Sequence, residues 1–144
     1  MNKEETKQEH HQIHVEKPAH PVPRGYFEPI FYLMTRMEAS ERKHPAPEKK
    51  ALEDLAVVMG IEGYKDKRWF RDLNEDKACE RMDLETAKRA TLVILAYVLK
   101  VDTTGGDAPK AYFSKVRKKI GADPVAVPAE LGEHRELILK YLVG

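Results

Sequence analysis

Ala90-Thr91-Leu92-Val93-Ile94-Leu95-Ala96-Tyr97-Val98-Leu99-Lys100-Val101-Asp102 is the stretch that decides the fold. Leu92, Leu95, Ala96 and Leu99 fall at the i, i+3, i+4 spacing of a helix. From Leu92 to Leu99 the segment is apolar on nearly every side, so a helix here must be covered all round and lie at the centre. Asp83 is the expected N-cap of that helix, over residues 84–100. The polar turn Thr103-Thr104-Gly105-Gly106 follows. Asp107 is expected to cap the next helix, which has Pro109 in its first turn, a stripe of Tyr112, Phe113, Val116 and Ile120, and Gly121 as terminator.

The same plan occurs about sixty residues earlier. Ile30, Leu33, Met34 and Met37 make the apolar face of a helix expected over residues 28–41. His44-Pro45-Ala46-Pro47 breaks it. Pro47 then opens a second helix with Glu48 near its positive end and Leu52, Leu55, Ala56 and Met59 inward, closing on Gly60. From proline to terminal glycine the first copy spans 47 to 60 and the second 109 to 121. Strand-like alternation is absent. The expected architecture is all-α: a compact bundle of about six to seven helices on two pseudo-repeated hairpins. Between the hairpins, residues 64–73 read as a short helix with Trp69, Phe70 and Leu73 inward, and Asn74 as the cap of another turn reaching Arg81. Residues 128–142 read as a last helix presenting Leu131, Leu137, Ile138 and Tyr141.

Residues 1–25 read as a disordered tail, because Pro18-Ala19-His20-Pro21-Val22-Pro23 removes backbone donors and the stretch offers little apolar surface to offset ordering. Residues 26–144 then form one domain, long enough to bury a real core. Lys+Arg 25 against Asp+Glu 24 gives a formal charge of +1, so no global field draws the chain to nucleic acid or anionic lipid. The longest apolar run, Leu92 to Leu99, is far short of the roughly 20 residues that span a bilayer. No secretory leader pattern opens the sequence. One cysteine, Cys79, excludes an internal disulfide and fits a reducing compartment. The expected location is cytoplasmic.

The paired hairpins resemble the TerB-like family, named for tellurite-resistance proteins. The resemblance covers residues 27–144. It rests on Val98-Leu99-Lys100-Val101-Asp102, Gly105-Gly106, Asp107 and Lys119-Ile120-Gly121 in one copy, and on Glu48-Lys49-Lys50-Ala51-Leu52 and Val58-Met59-Gly60 in the other. Met37-Glu38-Ala39-Ser40-Glu41 stands where the family pattern has Asp-Gly, and Lys110 where an acidic residue is usual. The resemblance implies a helical bundle without established catalysis, with acidic residues on one rim that serve metal or partner binding in stress response. Glu48 and Asp102 occupy matching acidic positions, with Glu38 as a conservative substitute.

The residues themselves offer candidate chemistry beside bland alternatives. Asp102-Thr103-Thr104-Gly105-Gly106-Asp107 carries carboxylates at both ends, as a loop around a hard cation does. It lacks the alternate oxygen ligands and distal glutamate of an EF-hand, and a glycine turn with Asp107 as helix cap explains it as well. Asp102, at a negative helix terminus, is left unexplained by capping. A divalent metal site, if present, is expected from Asp102, Asp107, Glu48, Glu38 and Glu41, where the hairpin loops meet. His10, His11 and His14 give the tail adventitious affinity for zinc or nickel, and His44 and His134 read as solvated. Lys65-Asp66-Lys67-Arg68-Trp69-Phe70-Arg71 and Lys115-Val116-Arg117-Lys118-Lys119 form basic clusters that a nucleic-acid face would use. Charge balance argues against that alternative. No phosphate loop, His-Glu-x-x-His or Gly-x-Ser-x-Gly occurs, and Cys79 reads as a packing residue. The expectation is a non-enzymatic interaction or metal-responsive module with an unidentified protein partner.

Overall fold

The computed structural model describes residues 17–40, 46–63, 72–101 and 106–144. Among them lie six α-helices and no strand: α1 (Phe27–Ala39), α2 (Ala46–Met59), α3 (Glu75–Glu80), α4 (Glu85–Val101), α5 (Asp107–Ile120) and α6 (Leu131–Leu142), with a 3-10 turn at Arg24–Tyr26 before α1. The all-α expectation holds. The short helix expected over 64–73 falls largely outside the described residues.

Helix α4 is the centre, as its composition requires. Thr91, Leu92, Val93, Ile94 and Leu95 are five consecutive buried residues, more than a single helix face can hold. It packs against α6 most extensively and also against α1, α2 and α5. Ile30, Phe31, Leu33, Met34 and Met37 from α1, Leu55 and Met59 from α2, and Ile138 from α6 complete the core. Thr91, the buried polar residue of α4, is satisfied by its own helix, donating from Oγ1 to Ala87 O at 2.8 Å.

The helix directions follow from contacts at one end. Tyr26 Oη donates to Asp83 Oδ1 at 2.5 Å, and Arg81 reaches Glu28 at 3.6 Å and Gly25 O at 3.5 Å. Helices α1 and α4 therefore begin together, pack on one another and leave together at the far end. Helix α5 returns antiparallel, since Lys119 in its last turn meets Glu75 and Asp76 at the start of α3. Helix α6 is likewise antiparallel to α4: its His134 lies beside Val93 and Lys100, and its Tyr141 O accepts from Val22 N at 2.7 Å near the start of α1.

The two hairpins end alike. Gly60 and Gly121 have φ of +73° and +67°. Gly60 N donates to Val57 O and Ile61 N to Ala56 O, while Gly121 N donates to Lys118 O and Ala122 N to Arg117 O. Both are the paired 5→2 and 6→1 bonds of a Schellman termination, with Ile61 and Ala122 buried beyond the glycine.

Several expectations change. The packed chain begins before Tyr26: Val22 is 2% exposed and belongs to the core, so the disordered-tail boundary at 25 is too late, and residues 1–16 lie outside the described ones. Val22 succeeds because Pro21 and Pro23 pre-set an extended backbone that docks on α6. Asp83 does not cap α4, its carboxylate being taken by Tyr26. Asn74 does cap α3, accepting from Lys77 N at 2.8 Å. Helix α6 starts at Leu131 rather than 128, which leaves Leu131 41% exposed in the first turn.

Two glycine substitutions should have opposite signs. Gly121→Ala forces a Cβ into the left-handed region and should cost about 1 kcal/mol. Gly132→Ala, within the first turn of α6 where a Cβ would meet only Glu130 Oε1 at 3.7 Å, should stabilise by about 0.5–1 kcal/mol. Urea midpoints with unchanged slopes check both.

Candidate functional site

Because α1 and α4 run the same way, their last residues, Ala39 and Val101, lie at one end of the bundle. The expected acidic residues distribute unevenly around this end. Glu38 is half-buried in the last turn of α1, at the negative helix terminus. Asp107 is exposed in the first turn of α5, but Gly106 is the N-cap and no side chain caps the helix there. Asp107 therefore does not cap, contrary to expectation; it sits where a negative charge meets the positive end of the helix. Glu48 is 1% exposed in the first turn of α2, so it is an interior carboxylate and not part of an open rim. Glu41 and Asp102 lie outside the described residues. Among the described residues no group of three or more His, Cys, Asp or Glu side chains is placed to hold a metal ion.

The second basic cluster is largely engaged within the protein. Lys119 binds Glu75 at 2.7 Å and Asp76 at 2.5 Å, and Lys115 binds Glu75 at 3.2 Å while lying over the Tyr112 ring. The twin carboxylates hold the Lys119 ammonium well above the ordinary lysine range. For Glu75, burial pushes the carboxyl up, but the two lysines outweigh it and the net direction is down. Arg117 turns back to Ala122 O at 3.3 Å. These contacts pin α5 to α3, and Lys110 and Lys118 stand exposed on the same helix. The Lys65–Arg71 cluster lies outside the described residues. Cys79 is buried, and that burial pushes its thiol up to about 11, so it is a packing thiol at neutral pH.

One constellation was missed by sequence reasoning. His134, expected in solvent, is 0% exposed. Its Nε2 lies 2.8 Å from Val93 O, and its Nδ1 lies 2.9 Å from Lys100 Nζ. A carbonyl only accepts, so Nε2 carries the proton and Nδ1 accepts from the Lys100 ammonium. Lys100 Nζ also donates to Pro128 O. The Tyr97 ring meets the imidazole edge-on at 5.2 Å. Every polar atom of this buried histidine is thus satisfied, and the chain of bonds runs from α6 through α4 to the connection before α6. The signal that would have found it is periodicity: His134, Leu137, Ile138 and Tyr141 fall at i, i+3, i+4, i+7, so the histidine shares the buried stripe. Alongside, Asp54 on α2 takes the Arg135 guanidinium in a two-point clamp at 2.8 and 3.0 Å, fixing α6 to α2.

Outside this network lies a solvent-open surface cavity of about 520 Å³. Val127, Pro128 and Ala129 form one wall, Glu133, Glu136, Leu137 and Lys140 of α6 another, and Lys17 the rim. Pro128 belongs to both features: its carbonyl is held by Lys100, and the residue walls the cavity. No helix among the described residues is long and apolar enough to cross a membrane. No family model, curated protein or solved structure matches this chain.

Burial holds the His134 imidazole below its ordinary value of 6.5; the bond to Val93 O opposes this and the Lys100 charge reinforces it. A histidine with a depressed folded-state pKa leaves the unfolded chain binding more protons, so its contribution is fully present above pH 6.5 and is lost as pH falls through the folded value. Stability should decline on acidification below pH 6.5, and His134→Gln should remove that part of the slope. Urea unfolding at a series of pH values checks this.

Proposed function

We propose that this domain is a non-enzymatic binding module of TerB-like type, working through the bundle end where α1 and α4 finish. It engages a protein partner there, in a manner linked to a divalent cation. The observation that supports this reading is the shared direction of α1 and α4, established by the Tyr26–Asp83 and Arg81–Glu28 contacts. That direction puts Glu38 and Asp107 at the same end of the bundle, and Glu41 and Asp102 follow closely on Glu38 and Val101 in the sequence. Carboxylates contributed from separate segments of the chain suit a hard cation, which takes six or more oxygens in adaptable geometry. The pseudo-repeat gives each hairpin an acid at the start of its second helix, Glu48 in one and Asp107 in the other.

Glu48 has a different part in this reading from the exposed acids. Buried at the positive end of α2, it steadies the loop-to-helix junction. The working carboxylates are then Asp102, Asp107, Glu41 and Glu38. A nucleic-acid role is disfavoured, because two of the lysines it needs, Lys115 and Lys119, already neutralise Glu75 and Asp76.

Calorimetric titration of the full chain with calcium, magnesium and manganese tests the cation component. Zinc and nickel are left out because His10, His11 and His14 are themselves candidate ligands for them. One-to-one heat that Asp102→Asn weakens by about tenfold or more is expected. Absence of heat with all three ions would remove the cation from the reading and leave the loops as a protein-contact surface alone.

A further inference from the structure

The bond sequence Val93 O, His134, Lys100, Pro128 O has a polarity that a single proton can reverse. In the neutral state His134 Nε2–H donates to Val93 O, Nδ1 accepts from Lys100, and Lys100 donates onward to Pro128 O. Lys100 supplies the hydrogen bond between α4 and the 123–129 connection. The connection is also secured at its ends, Ala122 by Arg117 and Glu130 O by His134 N at 2.9 Å, and by Val125 and Val127, which pack partly buried against the core. Residues 123–129 carry no regular secondary structure, and three of them wall the 520 Å³ cavity.

We propose that His134, Lys100 and Pro128 form a proton-operated latch, in which protonation of His134 at Nδ1 releases Pro128 and its neighbours in the 123–129 connection from α4 and reshapes the solvent-open cavity they wall. The proton comes from solvent and forms a new N–H bond at Nδ1; no other bond is made or broken covalently. The imidazolium keeps its Nε2–H bond to Val93 O. Its Nδ1, now a donor, faces the Lys100 ammonium, another donor and another positive charge, across 2.9 Å. Two donors at that separation have no acceptor between them, and the repulsion is weakly screened at a buried site.

Lys100 is the partner that can move. It is half-buried on a four-carbon stem, so its ammonium can swing to water while the stem stays packed. His134 cannot follow, because it is fully enclosed between α4 and α6. When Lys100 leaves, Pro128 O loses its donor and turns to water instead. The groups around the imidazole do not offset the new charge. From α4 the facing groups are Lys100 and the Tyr97 ring edge; from α2, Asp54 is occupied by Arg135; on α6, Arg135 is itself a cation, and Glu133 and Glu136 line the cavity. The charge acting on His134 is that of Lys100. The latch does not rest on the cation reading proposed above, although Lys100 stands two residues before Asp102; the exchange experiment reads 123–129 and the titration reads cation heat, so either can fail without the other.

Amide hydrogen exchange of the full chain, compared at about pH 7.5 and pH 5 after correction for intrinsic rates, tests the latch. Protection over 123–129 should fall roughly tenfold at the lower pH, while α1 and the middle of α4 stay protected. Lys100→Met should expose the segment to the same extent at both pH values. His134→Gln, which retains a donor and an acceptor but takes no proton, should hold it closed at both. Ring nitrogen shifts of His134 in the unsubstituted protein keep the test decisive even if a variant does not fold. They should report the Nε2–H tautomer at neutral pH and titrate together with the loss of protection. Protonation of His134 without a change over 123–129 would overturn the latch, as would an imidazole that stays neutral until the whole domain unfolds.

Discussion

Everything in this fold depends on the need to cover α4. Five consecutive buried residues, Thr91 to Leu95, leave no face that water can wet, and each buried leucine or isoleucine removed from water contributes on the order of 1.5–3 kcal/mol. A helix of that kind cannot be stable in a two-helix hairpin. It needs neighbours on all sides, and α1, α2, α5 and α6 supply them. The remaining helices are amphipathic because they have only one side to bury. Their outer faces carry charged residues.

Covering one helix with four others also fixes where polar groups end up. At the end where α1 and α4 begin, the chain is tied repeatedly: Val22 to Tyr141, Tyr26 to Asp83, Arg81 to Gly25 and Glu28, and Lys119 to Glu75 and Asp76. Several of these pairs are exposed, so each contributes little by itself. Their joint effect is on geometry, because they fix which helices start together. The opposite end holds the last turns of α1 and α4 and the first turn of α5. Among the described residues that end carries no comparable lacing beyond the bonds of Lys100 to Pro128 and His134.

How much of this was legible in the sequence depended on whether the signal was local. The Leu92–Leu99 run names the central helix without ambiguity, and Gly60 and Gly121 name two helix ends, because a left-handed residue after an apolar stripe has few other uses. Asn74 likewise announced a cap. Asp83 and Asp107 announced caps that did not form: the Tyr26 hydroxyl, 57 residues distant, outcompeted the backbone for Asp83, and Gly106 took the capping position beside Asp107. Val22 was hidden by the prolines that flank it, whose usual meaning is an exposed linker. Of the candidate acids, Glu48 was rightly placed at a helix start, but its burial depends on how α2 packs, which composition does not show. His134 was misjudged as a lone polar residue, although its spacing with Leu137, Ile138 and Tyr141 placed it inward.

That last residue shows what a satisfied polar group in a core does beyond packing. An aliphatic residue in place of His134 would fill similar space, and buried polar networks often contribute little net stability against such a replacement. What it would lose is direction. The imidazole accepts from Lys100 on one edge and donates to Val93 O on the other, so it sets the angular position of α6 on α4 and orients the lysine toward Pro128. Lys100 stands in the last turn of α4, where its charge also favours the negative helix terminus, one residue before the helix ends at Val101. The same lysine therefore joins the packing of α4 on α6 to the position of the 123–129 connection. A histidine is suited to that place because its interaction with the lysine depends on its own proton, and a change there reaches the connection without disturbing the apolar contacts that hold the bundle together.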